Sequence, residues 1–186
     1  RAITALRYFY EELPELHLVA AGSLLEFAFD KISVPVGRVQ YLNLYPMTFQ
    51  EYLLALGKAP MAEQIARHPA AIPPEAHSLI LEELKTYFFT GGMPECVKCW
   101  RDSGSLKTVA DVQDEILASY RDDFSKYTPS VDPNCLNTVL LNIARGIGDQ
   151  LKYTRLDQDF TGITNRKAFA ALEKARIIHR IPACNP

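Results

Sequence analysis

Apolar residues recur at helical spacing from the start of the chain. Ile3, Leu6, Tyr10 and Leu13 fall three and four apart, which predicts an amphipathic helix over 1–13, stopped by Pro14. The pattern then changes: Leu16-His17-Leu18-Val19-Ala20-Ala21 is a short, nearly continuous apolar run closed by Gly22, the signature of a buried parallel strand. Ser23 stands at that strand's C-terminal end, where open α/β sheets place ligand-contacting residues. Residues 24–29 read as a short helix or turn and 30–37 as a loop. A second strand is expected over 38–44, with Val39, Tyr41 and Leu42 supplying bulk and Pro46 ending it. Thr48-Phe49-Gln50-Glu51 is a capping box opening a helix over about 49–56.

Beyond that point almost everything reads as helix. A short one is expected over 60–68, then a proline-bounded break over 69–74. A longer helix from about Glu75 should carry Leu79, Ile80, Leu84, Tyr87 and Phe88 inward and end at Gly91-Gly92. Ser105 caps a long helix whose stripe is Val109, Val112, Ile116, Tyr120, Phe124 and Tyr127. Asp132-Pro133 is an N-cap with proline at the first helical position, and the helix it opens should bury Leu136, Val139, Leu140 and Ile143. The last stretch predicts a short helix over 154–160, a turn at Thr161-Gly162-Ile163, a helix capped by Thr164 that buries Phe169 and Leu172, and a strand over 177–181. That order is the outline of a winged helix-turn-helix.

Composition narrows the class. The 186 residues are 48% hydrophobic and 23% charged, which excludes a disordered chain, and 20 basic against 22 acidic residues exclude a histone-like binder. No apolar run is long enough for a membrane span, and there is no signal-like start. Cys96-Val97-Lys98-Cys99 has the spacing of half a zinc site, but Cys135 and Cys184 stand alone and the four histidines are scattered; reduced thiols and a cytoplasmic home are the simpler reading. Two phosphate-loop lookalikes fail. Gly57-Lys58 is followed by Ala59, with Tyr52 where the first loop glycine belongs, and Gly146-Ile147-Gly148 meets Leu151 where a third glycine is needed. No complete catalytic motif is present, and no metal site is expected.

Six signposts in order resemble a family of prokaryotic AAA-type ATPases. They are His17 to Ser23, Val36-Gly37-Arg38, Leu44 to Tyr52 with its Pro-x-Thr-Phe-x-Glu-Tyr start, Thr90 to Glu95 with its Gly-Gly-x-Pro-Glu turn, Tyr120-Arg121-Asp122-Asp123, and the region from Lys152 to Ile181. The resemblance implies an internal piece, beginning at Arg1 rather than Met, that lacks the family's phosphate-binding loop and its last, nuclease-like domain. The expected fold class is therefore mainly α: a truncated α/β ATPase-core remnant over 1–47, a helical lid-like region over 48–130, and a winged-helix-like domain over 131–186. ATP and magnesium would bind in the parent, mainly on the missing N-terminal part, with none held by this chain alone.

The resemblance makes Ser23 and Arg38 nucleotide-sensing residues. A strand-end hydroxyl and an arginine suit phosphoryl transfer, which is catalysed by positioning and charge stabilisation. The structural alternatives are a cap on the helix at Leu24 for Ser23, and a salt bridge to Asp30 or Glu26 for Arg38. Glu51 reads as a capping partner and Gly91-Gly92 as a helix C-cap. Asp122 and Asp123 are adjacent on one helix and point apart, so they make no acid/base pair. Read independently of any family, residues 152–180 carry seven basic side chains against three acidic ones. Asn165, Arg166 and Lys167 fall on the first turn of the expected recognition helix, with Lys174 further along it, and these four are the candidate nucleic-acid contacts. The alternative function is accordingly a DNA- or protein-binding module with no catalytic role, with oligomerisation left open and no membrane partner.

Overall fold

The computed structural model describes residues 2–22, 40–67, 72–127 and 131–182. Eight α-helices are described: α1 (Ala2–Glu12), α2 (Phe49–Ala55), α3 (Ala59–Ala66), α4 (Pro74–Thr90), α5 (Pro94–Ser103), α6 (Leu106–Tyr127), α7 (Pro133–Arg145) and α8 (Gly162–Lys174). One turn of 3-10 helix, Tyr153–Arg155, precedes α8. The protein is mainly α, and no strand occurs among the described residues. It divides into two compact units, one spanning Leu42–Ser119 and the other combining Arg1–Tyr41 with Tyr120–Pro186.

Three expected strands are absent where they can be followed. Residues 16–22 and 40–46 run without regular structure, and their apolar side chains face water: Val19 is 88% exposed, Leu42 82% and Leu44 fully. Apolar patterning supplies only half of a strand, since the backbone also needs a neighbour to hydrogen-bond. At 177–181 the reason is local. Arg176 adopts a left-handed backbone (φ 60°), its N–H donates to Glu173 O at 3.0 Å, and that of Ile177 donates to Leu172 O at 3.1 Å. This is a Schellman closure of α8, and it spends the amides with which a strand would begin.

The Leu42–Ser119 unit is built on two sequence signals. At the start of α2, Thr48 N–H donates to Glu51 Oε2 at 2.7 Å and Glu51 N–H returns to Thr48 Oγ1 at 3.3 Å, so the capping box forms as expected. The bond from Thr48 N–H first, and then one from the Thr48 hydroxyl to Glu51 Oε2 at 2.9 Å, hold the Glu51 carboxyl below its ordinary pKa. The helix buries Tyr52 and Leu53 against Ala62 and Val97, and the rings of Phe49, Tyr52 and Tyr87 meet at 5.2–6.1 Å. Helix α5 is an element the sequence reading passed over, although Pro94 at its first position and Gly104 in a left-handed C-terminal conformation both announce it. Leu79 and Phe88, expected inside, are exposed, whereas Ile80 is buried as expected and Leu84 and Tyr87 are half-buried. Helix α4 buries a narrower face than its composition offers. Its C-terminal carbonyls at Phe89 and Thr90 accept from the Gln113 side chain of α6 at 2.8 and 3.2 Å.

The Tyr52 ring is fully buried, and its hydroxyl lies near Thr90 and Trp100 without hydrogen-bond geometry to either. Burial first, then the Glu83 charge, raises its pKa. A buried hydroxyl without a partner is a cost that phenylalanine removes. Tyr52→Phe is therefore expected to leave this unit unchanged or more stable by up to about 1 kcal/mol, followed in urea by the fluorescence of the single tryptophan, Trp100. A clear loss of stability would show that the hydroxyl is bonded in solution.

In the other unit, α7 and α8 pack through Cys135, Leu136, Val139, Ala168, Phe169 and Leu172, with Phe124, Val131, Leu156 and Ile178 completing the core. Asp132 caps α7 as expected, its carboxylate accepting from Asn134 N–H at 2.7 Å. The expected helix over 154–160 shrinks to the 3-10 turn followed by bends.

Candidate functional site

Two of the six signposts meet in space. The corner at Pro46-Met47-Thr48 lies against Gly91-Gly92: Met47 N–H donates to Gly92 O, and Tyr87 OH donates to Met47 O, both at 2.7 Å. Gly91 closes α4 with φ 68°, the C-terminal role expected for it. Gly92 is buried, and a Cβ there would sit 2.9 Å from Met47 N and closer still to Met47 O. These residues thus build a backbone junction in which Met47 N–H, Met47 O, Gly91 N–H and Gly92 O are all used. The sequence pattern places Tyr87 only in the core, because its hydroxyl bond to a residue forty positions upstream leaves no local signal.

Helix α8 begins one turn earlier than expected. Thr161, not Thr164, is its N-cap, because the Thr161 hydroxyl accepts from Thr164 N–H at 3.3 Å. Asn165, Arg166 and Lys167 therefore fall on the second turn, and they part company. Asn165 is completely buried. Its Nδ2 donates to Tyr153 O at 2.9 Å and Asp157 O at 2.8 Å, while its Oδ1 accepts from the Cys135 thiol at 3.6 Å. With both ends of the amide engaged, Asn165 has no polar group to offer a base edge; its expected contact is corrected to an internal clamp. Arg166 and Lys167 are exposed on the opposite face, and Lys174 is half-exposed at the last turn. The clamp draws residues 153–157 onto α8, and Thr154 lies against Gly162, so Lys152 and Arg155, both exposed, sit on a turn fastened to the start of α8. Both belong to the basic segment of the sequence, but no local signal places them beside α8.

Ser23 and Arg38 lie outside the described residues, as does Cys184. Cys96 and Cys135 are buried thiols, each with its pKa raised by burial first and then by neighbouring charged groups. Desolvated thiols of this kind make poor nucleophiles. Among the described residues no group of three or more His, Cys, Asp or Glu side chains is placed to hold a metal ion, so none is assigned to magnesium. No helix among them is long and apolar enough to cross a membrane.

What these features define is a mainly helical protein with a basic face on its last helix. The chain belongs to a family described as a domain of unknown function (DUF8612), whose model matches residues 81–186. The matched span starts within α4 and takes in Gly91-Gly92, α5 to α8 and the Asn165 clamp, whereas the signposts from His17 to Tyr52 precede it. Neither curated proteins nor solved structures give a match.

Proposed function

We propose that the chain is part of a cytoplasmic AAA-type ATPase, comprising the end of the ATPase core, a helical region and a winged-helix-like module, and that it does not hydrolyse ATP alone. Nucleotide and magnesium are bound by a phosphate loop that none of the 186 residues supplies. Ser23 and Arg38 then close on the terminal phosphate, the hydroxyl as a fixed donor and the guanidinium as a counter-charge to the oxygens. The observation that carries this reading is the exposure of the apolar runs at 16–22 and 40–46. Exposed valine and leucine in succession, close to Ser23 and Arg38 in the sequence, are what two central strands present when their sheet neighbours are elsewhere.

The test has two arms. The 186-residue chain with magnesium and ATP is expected to show no turnover above background. In a parent carrying a Gly-x-x-x-x-Gly-Lys-Ser/Thr loop, Ser23→Ala and Arg38→Ala are each expected to cut kcat at least about tenfold while nucleotide still binds. Turnover by the chain itself that depends on Ser23 and Arg38 overturns the reading. So does a natural coding sequence with no such loop upstream of Arg1.

A further inference from the structure

The basic residues around the start of α8 gain their significance from what the fold does to the acidic ones among them. Within residues 152–180, Asp157 is buried and its carboxylate accepts from Asp159 N–H at 2.9 Å. Glu173 is half-buried and pairs with Arg180 at 3.4 Å. Asp159 is left as the exposed carboxylate of this segment, against exposed Lys152, Arg155, Arg166 and Lys167. None of those four cations has a carboxylate within ion-pair distance among the described residues. The net positive charge read from the sequence is thus concentrated at the surface.

The same segment is held in shape. Helix α8 buries Asn165, Ala168, Phe169 and Leu172, which turns Ile163, Arg166, Lys167 and Ala170 to solvent at positions three and four apart. Asn165 fixes the preceding turn to the helix through two carbonyls, and the Thr154 methyl group lies 3.1 Å from where a Cβ on Gly162 would be. Lys152 and Arg155 therefore flank the first turns of α8 on a fastened backbone, so little ordering entropy is lost when they engage a ligand.

We propose that this face, centred on Arg166 and Lys167 and flanked by Lys152 and Arg155, binds the phosphate backbone of duplex DNA. Two exposed cations on the helix face, with two more on the turn fastened to its start, match a polymer of closely spaced phosphates better than a single small anion. A helix about 10–12 Å across with its outer stripe free also suits a major groove about 12 Å wide. Ile163, 73% exposed on that stripe, gives an apolar contact of the kind thymine methyl groups accept. These observations are independent of the nucleotide reading.

The test is fluorescence anisotropy of a labelled random-sequence duplex with the 186-residue chain and no ATP, so that its failure is separate from any failure of nucleotide chemistry. Four phosphate contacts predict that affinity falls about 100-fold between about 50 and 200 mM salt. Arg166→Ala/Lys167→Ala is expected to reduce that fall to about tenfold and to weaken binding at low salt. Lys152→Ala/Arg155→Ala should behave alike, while Lys107→Ala, exposed on α6, should match the parent chain. All five sites are exposed, and unchanged circular dichroism spectra would establish that the variants fold. Absence of salt-sensitive binding overturns the proposal, as does an Arg166/Lys167 loss no larger than that of Lys107→Ala. Tighter binding of an acidic peptide than of the duplex, at equal charge, would assign the face to a protein partner and overturn it equally.

Discussion

Gly92→Ala is expected to lower the stability of the Leu42–Ser119 unit by about 3 kcal/mol or more, the sum of an overpacked contact and a lost hydrogen bond. The added Cβ would meet the Met47 backbone, 2.9 Å from its nitrogen and nearer to its oxygen, and backbone cannot rotate away as a side chain can. Separating the two segments breaks the bond from Met47 N–H to Gly92 O. It also shifts the carbonyl that accepts from Tyr87 OH. Because Phe49, Tyr52 and Tyr87 pack ring against ring just beyond Met47, the displacement reaches the core. Trp100 packs against the same cluster, so its fluorescence in urea measures the loss directly. Gly91→Ala should cost about 1–3 kcal/mol by a different route, since nothing lies within 4 Å of its Cβ position and only the positive φ is strained. A fully tolerated Gly92→Ala would mean that the Met47 junction is open in solution.

The second large effect is expected at Asn165. Asn165→Asp replaces the donor to Tyr153 O and Asp157 O with an acceptor, and it places a carboxylate in a fully buried position. Loss of two buried bonds plus burial of an unpaired charge predicts a destabilisation of about 4 kcal/mol or more at neutral pH. The sign of its pH dependence follows. Burial raises the new carboxyl's folded pKa above its unfolded value of about 3.9, so the deficit is smallest below about pH 4 and grows as pH rises. Amide hydrogen exchange over α7, α8 and the 153–157 turn should quicken at pH 7 and recover in acid. Exchange that matches the parent chain at both pH values would show that the clamp carries no stability.

The two predictions bear differently on function. Gly91 and Gly92 lie in a motif stretch that invites a phosphate-cradle reading, yet the Gly91 N–H donates to Tyr87 O and the Gly92 carbonyl accepts from Met47 N–H. Asn165 lies in the basic stretch that invites a recognition reading, yet its amide faces inward. In both cases the residue type that a ligand would need is used by the protein on itself. Arg166 and Lys167 remain exposed because a long charged side chain is rarely buried unpaired, and helical geometry leaves their positions outside.

Local signals in the sequence determined the helices that carry their own start and stop chemistry. The Thr48–Glu51 capping box, the Ser105 and Asp132 caps and the glycine endings of α4 and α5 involve residues within one turn of each other, and such bonds form whatever the rest of the chain does. Capping also explains the error at α8: Thr161 and Thr164 are both good caps by type, and only the bond from Thr164 N–H to Thr161 decides between them. The tertiary structure alone decided everything that depends on a distant neighbour. The apolar runs near Val19 and Leu42 have the pattern of strands but gain no ladder, because a strand is completed by another segment's backbone. Polarity marked Asn165 as available, but burial against Tyr153, Asp157 and Cys135 made it a clamp. The surviving basic face has the same origin: the sequence supplies the charges, but which carboxylates are buried or paired depends on how α7, α8 and the intervening turn pack.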